Sequence, residues 1–328
     1  MVRFLVIRFS SIGDIILTTP VVRCLKQQVE DAEVHYITKG SFASILEANP
    51  YIDKIHVLEN NLIDTICELR EKEFDYIIDL HNNLRSLRIR SSLQRMFFAV
   101  NKLNFRKWLL VNFKIDRMPD VHIVDRYMET LHVFDVKNDN QGLDYFIPEK
   151  EQVDPGTLPE EFRKTFIALV IGAKHNTKKM PVEGLILITR KLLLPVVIIG
   201  GKEDSESGRK IMEALPDKHI YNACGKYSIN QSASLVRMSA GVITHDTGMM
   251  HAAAAFRKKM IVIWGNTVPA FGMYPYLPGE GSIQVEAEGL RCRPCSKLGY
   301  DRCPRKHFRC MKDHDPEDIA SMANKLFQ

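Results

Sequence analysis

Short runs of consecutive apolar residues recur along the chain, separated by stretches long enough to form helices. In the first half they are RFLVIRF (3–9), EVHYIT (33–38), KIHVL (54–58) and DYIIDL (75–80). In the second half they are TFIALVIG (165–172), LPVVIIGG (194–201), GVITHD (241–246) and MIVIWG (260–265). Because these runs are continuous rather than alternating, they predict parallel strands that are covered by helices on both faces.

A segment rich in proline and acidic residues, IPEKEQVDPGTLPEEFRK (147–164), separates the two sets of runs and has the composition of a linker. The chain has 328 residues, and at about 150 residues per domain this length favours two domains. We therefore expect two Rossmann-like doubly wound α/β domains, residues 1–150 and 151–328, with an inter-domain cleft. In such sheets ligands bind outside the carboxyl ends of the strands.

The composition is that of a soluble globular protein, with 45% hydrophobic and 26% charged residues and a net charge of +5. No apolar run reaches the ~20 residues that a membrane-spanning helix needs. Arg3, Arg8 and Asp14 interrupt the first apolar segment, which argues against a signal peptide. Seven cysteines without an export signal suggest a reducing compartment, so a cytoplasmic location is expected.

The stretch VITHDTGMMHAAAAF (242–256) has the form of a strand that turns into an alanine-rich helix. The first amides of such a helix can bind phosphate. Gly248 would let the backbone approach the anion, Thr247 offers a hydroxyl, and His251 lies in the first turn. The alternative is that Asp246 or Thr247 only caps the helix and that His251 is a satisfied polar residue.

Two other strand ends carry residues that suit a nucleotide. The loop GAKHNTKKMP (172–181) brings Lys178, although a lysine cluster is more often a solvated loop. The stretch IIGGKEDSESG (198–208) brings Glu203 and Asp204, either of which could accept hydrogen bonds from a ribose. Neither stretch is a P-loop, because no G-x-x-x-x-G-K-[ST] occurs in the chain.

The first predicted strand is followed by RFSSIGDII (8–16), which places one acid, Asp14, beside a glycine at the edge of the core. Taken alone, this pattern favours a helix cap over a catalytic role for Asp14.

Five stretches together, in the same order along the chain, resemble the motifs of glycosyltransferase family 9, the lipopolysaccharide heptosyltransferases. They are RFSSIGDIILTTPVV, DYIIDLHNNLRS, VDRYMETL (124–131), GGKED and HDTGMMHAAAA. The resemblance implies a GT-B fold, in which two Rossmann-like domains face each other. It also implies an inverting transfer of heptose from an ADP-heptose donor, held by the second domain, to a lipopolysaccharide inner-core acceptor, held by the first.

The resemblance also implies roles for individual residues. Asp14 takes the place of the general base, and direct displacement assisted by one base inverts the anomeric centre. Residues expected at the acceptor are Ser11, Gly13 and Arg85. Residues expected at the donor are Lys178, Glu203, Asp204, Tyr227, Asp246, Thr247, Gly248, Met249 and His251. Among them, Asp204 takes the place of the acid that contacts the ribose, with Glu203 as a competing choice, and Tyr227 takes the place that contacts the adenine. Catalysis in the family needs no metal cofactor. Two departures, Met180-Pro181 for a Trp-Pro pair and Met249 for a leucine, leave the donor preference open.

The segment 85–114 holds eight basic residues and no acid, interleaved with Phe97, Phe98 and Trp108. Such a segment suits an anionic membrane surface or a phosphorylated glycolipid. The alternative is an ordinary helix whose aromatic residues fill the core. The implied acceptor, a phosphorylated lipid A–core saccharide, favours anionic contact and a peripheral position at the inner face of the inner membrane.

The segment CRPCSKLGYDRCPRKHFRC (292–310) contains four cysteines that could hold a structural zinc ion: Cys292, Cys295, Cys303 and Cys310. The second pair is separated by six residues instead of two, so free buried thiols are favoured over zinc.

Two rival functions remain open. One is another sugar-nucleotide enzyme of GT-B fold, with a different sugar donor or epimerase activity. The other is a nucleic-acid-binding zinc protein, which the low net charge and the two parallel sheets disfavour, so no nucleic-acid partner is expected. The sequence does not identify the exact sugar, the acceptor position, the nucleotide base or the oligomeric state.

Overall fold

The structure is a computed structural model that describes residues 1–58 and 61–328. It divides into two compact units. The first comprises Met1–Lys102 and Val121–Pro148, and the second comprises Leu103–Asp120 and Glu149–Gln328. Residues 103–120 therefore cluster with the second unit, although the sequence analysis placed them in the domain 1–150.

The first unit contains a five-stranded parallel sheet in the order β3-β2-β1-β4-β5. Its strands are β1 Val2–Ile7, β2 Ala32–Lys39, β3 Lys54–Leu58, β4 Tyr76–Asp79 and β5 Met96–Ala99. The four apolar runs of the first half form β1 to β4, whereas the edge strand β5 was not predicted.

Helices cover this sheet on both faces. They are α1 Ile12–Ile16, α2 Thr19–Gln28, α3 Gly40–Ala43, α4 Leu62–Arg70 and α5 Leu84–Leu93. The next helix, α6 Asn104–Phe113, belongs to the second unit, and α7 Ile123–Met128 belongs to the first. Helices α4 and α5 pack on one core cluster, which includes Leu5, Ile37 and Ile77. Each such side chain stabilises the fold by about 1.5–3 kcal/mol when fully buried.

The second unit contains a six-stranded parallel sheet in the order β11-β10-β9-β6-β7-β8. Its strands are β6 Ile167–Val170, β7 Val196–Ile199, β8 Ile220–Asn222, β9 Gly241–His245, β10 Met260–Trp264 and β11 Ile283–Glu286. Its remaining helices are α8 Val182–Lys191, α9 Ser205–Glu213, α10 Ile229–Met238, α11 Gly248–Ala255, α12 Arg309–Lys312 and α13 Pro316–Leu326. No helix within the described residues is long and apolar enough to cross a membrane.

Both sheets have a topological switch point. In the first unit β1 lies between β2 and β4, and in the second β6 lies between β7 and β9. Connections from the two neighbouring strands then leave in opposite directions, which opens a crevice at their carboxyl ends. The sheet orders thus select the turns after β1 and β4, and those after β6 and β9, as the places for ligands.

A buried arginine stabilises the first unit on its α2 side. The side chain of Arg23 is only 2% exposed. Its guanidinium donates to both carboxylate oxygens of Asp139, at 2.8 and 2.9 Å, to the carbonyl of Gly142 at 2.9 Å, and to Asp144. Since Asp139 and Asp144 are themselves mostly covered, this one cation fixes the loop that leads out of the unit.

We expect Arg23→Ala to lower the free energy of unfolding by about 3–5 kcal/mol, because it leaves two poorly solvated carboxylates without their cation. Urea unfolding of the purified protein would measure this. Arg209→Ala is the matched control: Arg209 is 55% exposed and pairs with Glu206 and Glu213 on the surface, so its replacement should change the free energy of unfolding far less. A loss at Arg23 no larger than at Arg209 would contradict the assignment.

Candidate active site

Asp14 lies in the turn after β1, where its carboxylate is held by three groups. The Ser11 amide and hydroxyl donate to its Oδ2, at 3.1 and 2.7 Å. Arg8 contacts Oδ1 at 2.5 Å. Ser11 is the residue that precedes α1, so Asp14 is not the helix N-cap that the residues alone had favoured; it occupies the third helical position.

The pKa of Asp14 reflects this setting. Burial by itself raises the pKa, but the charge of Arg8 and the hydrogen bonds from Ser11 and Arg8 outweigh burial and lower it to about 2. The carboxylate is therefore ionised at neutral pH, and about a fifth of its side chain remains exposed. An ionised carboxylate in this position can accept a proton from a hydroxyl that becomes acidic during a reaction.

Arg8 is a site residue that sequence reasoning missed. It is 7% exposed, and it also donates to the carbonyls of Ser10 and Leu80, at 2.9 and 2.6 Å. Its guanidinium carbon lies 5.9 Å from the ring centroid of Tyr127. The available signal was a lone arginine at the end of an apolar strand, because a buried cation at that point requires a buried partner.

The neighbouring strand β4 contributes a neutral histidine. The His81 ring packs on Phe9 across the switch point, with centroids 4.7 Å apart. Burial and the charges of Arg8 and Lys102 lower its pKa to about 3, so the ring is uncharged at neutral pH. Lys102 donates to the His81 carbonyl at 2.8 Å. Cations thus surround the turn that carries Asp14.

The predicted acceptor residues differ in their exposure. Ser11 is exposed and Gly13 is buried within α1. Arg85 is exposed on α5, whose first turn is capped by the Asn83 side chain through the amides of Arg85 and Ser86. Ser11 and Arg85 are accordingly available to a ligand, whereas the Gly13 position serves the turn itself.

In the second unit, the DTG motif forms the junction between β9 and α11. Thr247 is the N-cap of α11, and Asp246, Thr247 and Gly248 are partly exposed. The Asp246 carboxylate accepts from Lys178 at 2.5 Å and from the Thr267 hydroxyl at 2.7 Å. Lys178 follows β6, so the lysine and the motif meet across the switch point.

Two predicted donor residues are buried just inside α11. The side chains of Met249 and His251 are 8% and 3% exposed. The side chain of His251 therefore does not lie on the surface where sequence reasoning expected it to meet an anion, and only the main chain of Met249 suits that role. The surface of the site consists of Lys178 and the residues Asp246–Gly248.

Of the two acids after β7, Asp204 is buried and Glu203 is exposed. Asp204 is 3% exposed, and it accepts from Lys179 at 2.6 Å and from the Gly201 amide at 2.9 Å. A Cβ on Gly172 would lie 2.6 Å from its carboxylate, which explains a glycine there. Glu203 is exposed, with its carboxylate close over Gly201. Asp204, named first for the ribose, is thus occupied within the fold, and Glu203 is the acid that a ligand can reach.

Tyr227 lies after β8 at the same edge of the sheet. Its hydroxyl is 3.2 Å from that of Tyr221, and both rings are partly exposed. Burial and Tyr221 raise the pKa of Tyr227. An aromatic face is therefore presented beyond the acidic turn, where a base could stack.

The four cysteines of the segment 292–310 lie near one another, and besides burial the charges of the other thiols raise the pKa values of Cys295 and Cys310. Cys292 lies 3.8 Å from His307, Cys310 is buried, and the others are partly covered. Within residues 1–58 and 61–328, no group of three or more His, Cys, Asp or Glu side chains is arranged to hold a metal ion. Free thiols, which the sequence favoured over zinc, suit this arrangement better than a tetrahedral site, which needs four donors around one point.

Comparisons with known proteins identify the family of the chain. The sequence model of glycosyltransferase family 9 (heptosyltransferase) matches residues 64–298. The chain belongs to this family. It is 25% identical to lipooligosaccharide heptosyltransferase 2 of Campylobacter jejuni, over 97% of this chain and 96% of that protein.

Solved structures of the family share the fold. A glycosyltransferase of family 9 from Veillonella parvula superimposes with a TM-score of 0.80 and 21% identity, covering 99% of this chain and 97% of that one. The ADP-heptose lipopolysaccharide heptosyltransferase II of Escherichia coli gives a TM-score of 0.74 and 20% identity, with 99% and 98% covered. The chain is therefore a glycosyltransferase with two Rossmann-like domains of the GT-B class, as predicted.

Replacing Arg8 should shift the acid limb of the pH–activity profile. In the wild type, Asp14 stays ionised until the pH approaches its pKa of about 2. In Arg8→Met, burial acts without the cation, so the pKa rises and protonation removes the base at a pH about 1–3 units higher. The profile of kcat/KM against pH measures this shift.

Two variants control this experiment. Arg8→Lys keeps the charge and should keep the limb low, and Arg88→Met removes an exposed arginine of the same unit. An acid limb in Arg8→Met at the wild-type position, in protein that melts normally, would show that Arg8 does not set the protonation of Asp14.

The acidic pair gives opposite expectations for its two members. Glu203→Gln should weaken ADP binding by about 10- to 150-fold, since a charge-assisted hydrogen bond contributes about 1.5–3 kcal/mol, and it should leave the free energy of unfolding unchanged. Asp204→Asn should instead lower the free energy of unfolding by about 1–3 kcal/mol. Calorimetric titration and urea unfolding separate the two effects. Weaker ADP binding with unchanged stability in Asp204→Asn would reverse the assignment.

Proposed function

We propose that this enzyme transfers a heptose from ADP-heptose to a phosphorylated lipopolysaccharide inner-core acceptor, with inversion at the anomeric carbon. The observation that carries the proposal is the placement of both candidate groups. An ionised carboxylate lies at the switch point of one sheet, and a lysine lies beside the start of α11 at the switch point of the other. Relatives with names that specify heptose transfer to lipooligosaccharide support the choice of sugar and acceptor.

Asp14 acts as the general base in this proposal. It accepts the proton of the acceptor hydroxyl while the oxygen of that hydroxyl forms a bond to the anomeric carbon. The bond from this carbon to the diphosphate breaks in the same displacement, so the configuration inverts. Since the Asp14 pKa is about 2, proton transfer becomes favourable only as the hydroxyl acidifies in the transition state.

The leaving diphosphate is stabilised by groups of the second unit. Amides at the start of α11, the Thr247 hydroxyl and the Lys178 ammonium supply hydrogen bonds and positive charge. The positive charge of Lys178 balances the negative charge of Asp246 in this scheme, since Lys178 pairs with its Oδ2, to which Thr267 also donates. Asp246 also fixes the lysine, which has further N–H groups for the ligand. In this proposal the leaving diphosphate is stabilised by these groups and not by a divalent metal ion.

The nucleoside is bound farther along the same sheet edge. Glu203 accepts hydrogen bonds from the ribose hydroxyls, which is the usual task of an acid after the second strand of such a sheet. Tyr227 stacks on the adenine. Cations of the first unit, among them Arg85 and Lys102, suit an acceptor that carries phosphate groups. Because the acceptor is a glycolipid, the enzyme works at the cytoplasmic, anionic face of the inner membrane.

Asp14→Asn tests the proposal directly. We expect the variant to be stabilised thermally by ADP, more than by UDP or GDP, to the same degree as the wild type. Turnover should fall by about 10²–10⁴, the usual contribution of a general base. A coupled assay of ADP release with purified acceptor and ADP-heptose measures the loss.

Asp64→Asn, which changes an exposed acid of α4, is the control and should react like the wild type. Near-normal turnover in Asp14→Asn would remove this residue from the mechanism. Equal stabilisation by all three nucleotides would instead count against an ADP-linked donor.

A further inference from the structure

Helix α6 differs from the other long helices because almost none of it is buried. Of its ten residues, Leu110 is the buried one. Four large apolar side chains on and after this helix are exposed: Phe105 by 70%, Trp108 by 47%, Phe113 by 59% and Ile115 by 46%. We call these four residues the aromatic ridge. It answers one question left open by the sequence, because Trp108 lies outside the core, whereas Phe98 packs against Tyr76 and Phe134.

The aromatic rings of the ridge contact one another. Phe105 stacks on Trp108 with ring centroids 6.1 Å apart, and Phe113 meets Trp108 edge-on at 5.2 Å. The ridge is therefore a continuous apolar surface rather than a set of scattered residues. Continuous patches of this kind mark a site of interaction.

The chain around the ridge is basic. Residues 103–117 contain four cations, Arg106, Lys107, Lys114 and Arg117, against the single acid Asp116. Lysines are depleted in the cores of protein–protein interfaces, whereas aromatic residues beside lysine and arginine characterise helices that lie in the surface of an anionic bilayer. The charge and the apolar area point to the same partner.

The segment is attached firmly enough to transmit such binding to the second unit. The Lys114 ammonium donates to the carbonyl of Pro294 at 2.6 Å. The Lys107 ammonium lies 5.9 Å from the ring centroid of Phe271. With ten residues, α6 is too short to cross a bilayer, and it suits a position in the plane of the interface.

We propose that the aromatic ridge inserts into the surface of an anionic phospholipid bilayer, while Arg106 and Arg117 contact the lipid headgroups. The proposal deepens the proposed function, because it names the part of the enzyme that reaches the membrane where a glycolipid acceptor resides. Binding to lipid does not itself require sugar transfer, so the two ideas can fail separately.

Intrinsic fluorescence gives a direct test, since the chain has two tryptophans and Trp264 is 1% exposed. A change on adding vesicles therefore reports Trp108. With vesicles that contain phosphatidylglycerol, the emission should shift to the blue and be quenched by brominated lipid. Vesicles of phosphatidylcholine alone should give a much smaller effect.

Variants locate the contact. Phe105→Ser with Phe113→Ser keeps the Trp108 reporter and should lower partition into anionic vesicles about tenfold or more. Arg106→Gln with Arg117→Gln should lower partition by roughly thirtyfold on anionic vesicles only. Leu193→Ser changes another apolar side chain of the same unit, 70% exposed, and should have no effect.

Three outcomes would overturn the proposal: unchanged Trp108 emission with anionic vesicles, equal partition into neutral and anionic vesicles, or an equal loss in Leu193→Ser. Sedimentation that shows ridge-dependent self-association without lipid would assign the surface to a second copy instead.

ADP stabilisation and transfer to a detergent-free, delipidated acceptor should stay normal in the ridge variants. If the proposed function fails, transfer is absent in every variant and the vesicle results still decide the ridge.

Discussion

The divergence of the connections at two neighbouring strands is the constraint on which this enzyme depends. At β1 and β4, and again at β6 and β9, the chain leaves the sheet in opposite directions. Backbone at these carboxyl ends is not covered by a crossing helix, so polar groups there can meet a ligand without breaking the core. The same topology in both units places an ionised carboxylate in one and a lysine beside a helix start in the other.

At both positions, charge is fixed by a partner before any substrate arrives. Arg8 holds Asp14 in its ionised form, and Asp246 holds Lys178 in place. Part of the Asp14, Lys178 and Asp246 side chains stays exposed, whereas Arg8 is mostly buried. Groups oriented in this way need little reorganisation during the reaction, which is the main source of electrostatic catalysis.

The sequence predicted the parts of the fold that physical pattern determines strongly. Strands covered on both faces must be continuously apolar, so all eight of the predicted runs contain a strand. The strands that escaped prediction, β5, β8 and β11, are edge strands of three or four residues. An edge strand is partly exposed to solvent, so its residues need not be continuously apolar. In β11 exposed and partly buried residues alternate, and four residues are too few for this alternation to predict a strand.

For the candidate site, the sequence indicated which turns matter but not how the side chains divide their tasks. Glu203 and Asp204 are adjacent acids of similar chemistry, and only the packing of Gly172 and Gly201 shows that Asp204 belongs to the fold. Arg8 was overlooked for a related reason. Its role depends on an ion pair with Asp14, which forms because the turn brings the two side chains together. The positions of residues 8 and 14 in the sequence do not reveal that contact.

The cysteine-rich segment is hydrogen-bonded to the loops at the carboxyl edge of the second sheet. Residues 287–308 contain no helix or strand, yet hydrogen bonds attach them to residues in or beside the site. Arg293 donates to the carbonyls of Gly265 and Thr267, and the Thr177 hydroxyl exchanges hydrogen bonds with the Tyr300 backbone. Thr267 donates to Asp246, and Thr177 directly precedes Lys178. Through Thr267 and Thr177, this irregular segment stabilises the pair formed by Lys178 and Asp246. This structural role does not require the thiols of the segment to bind a metal.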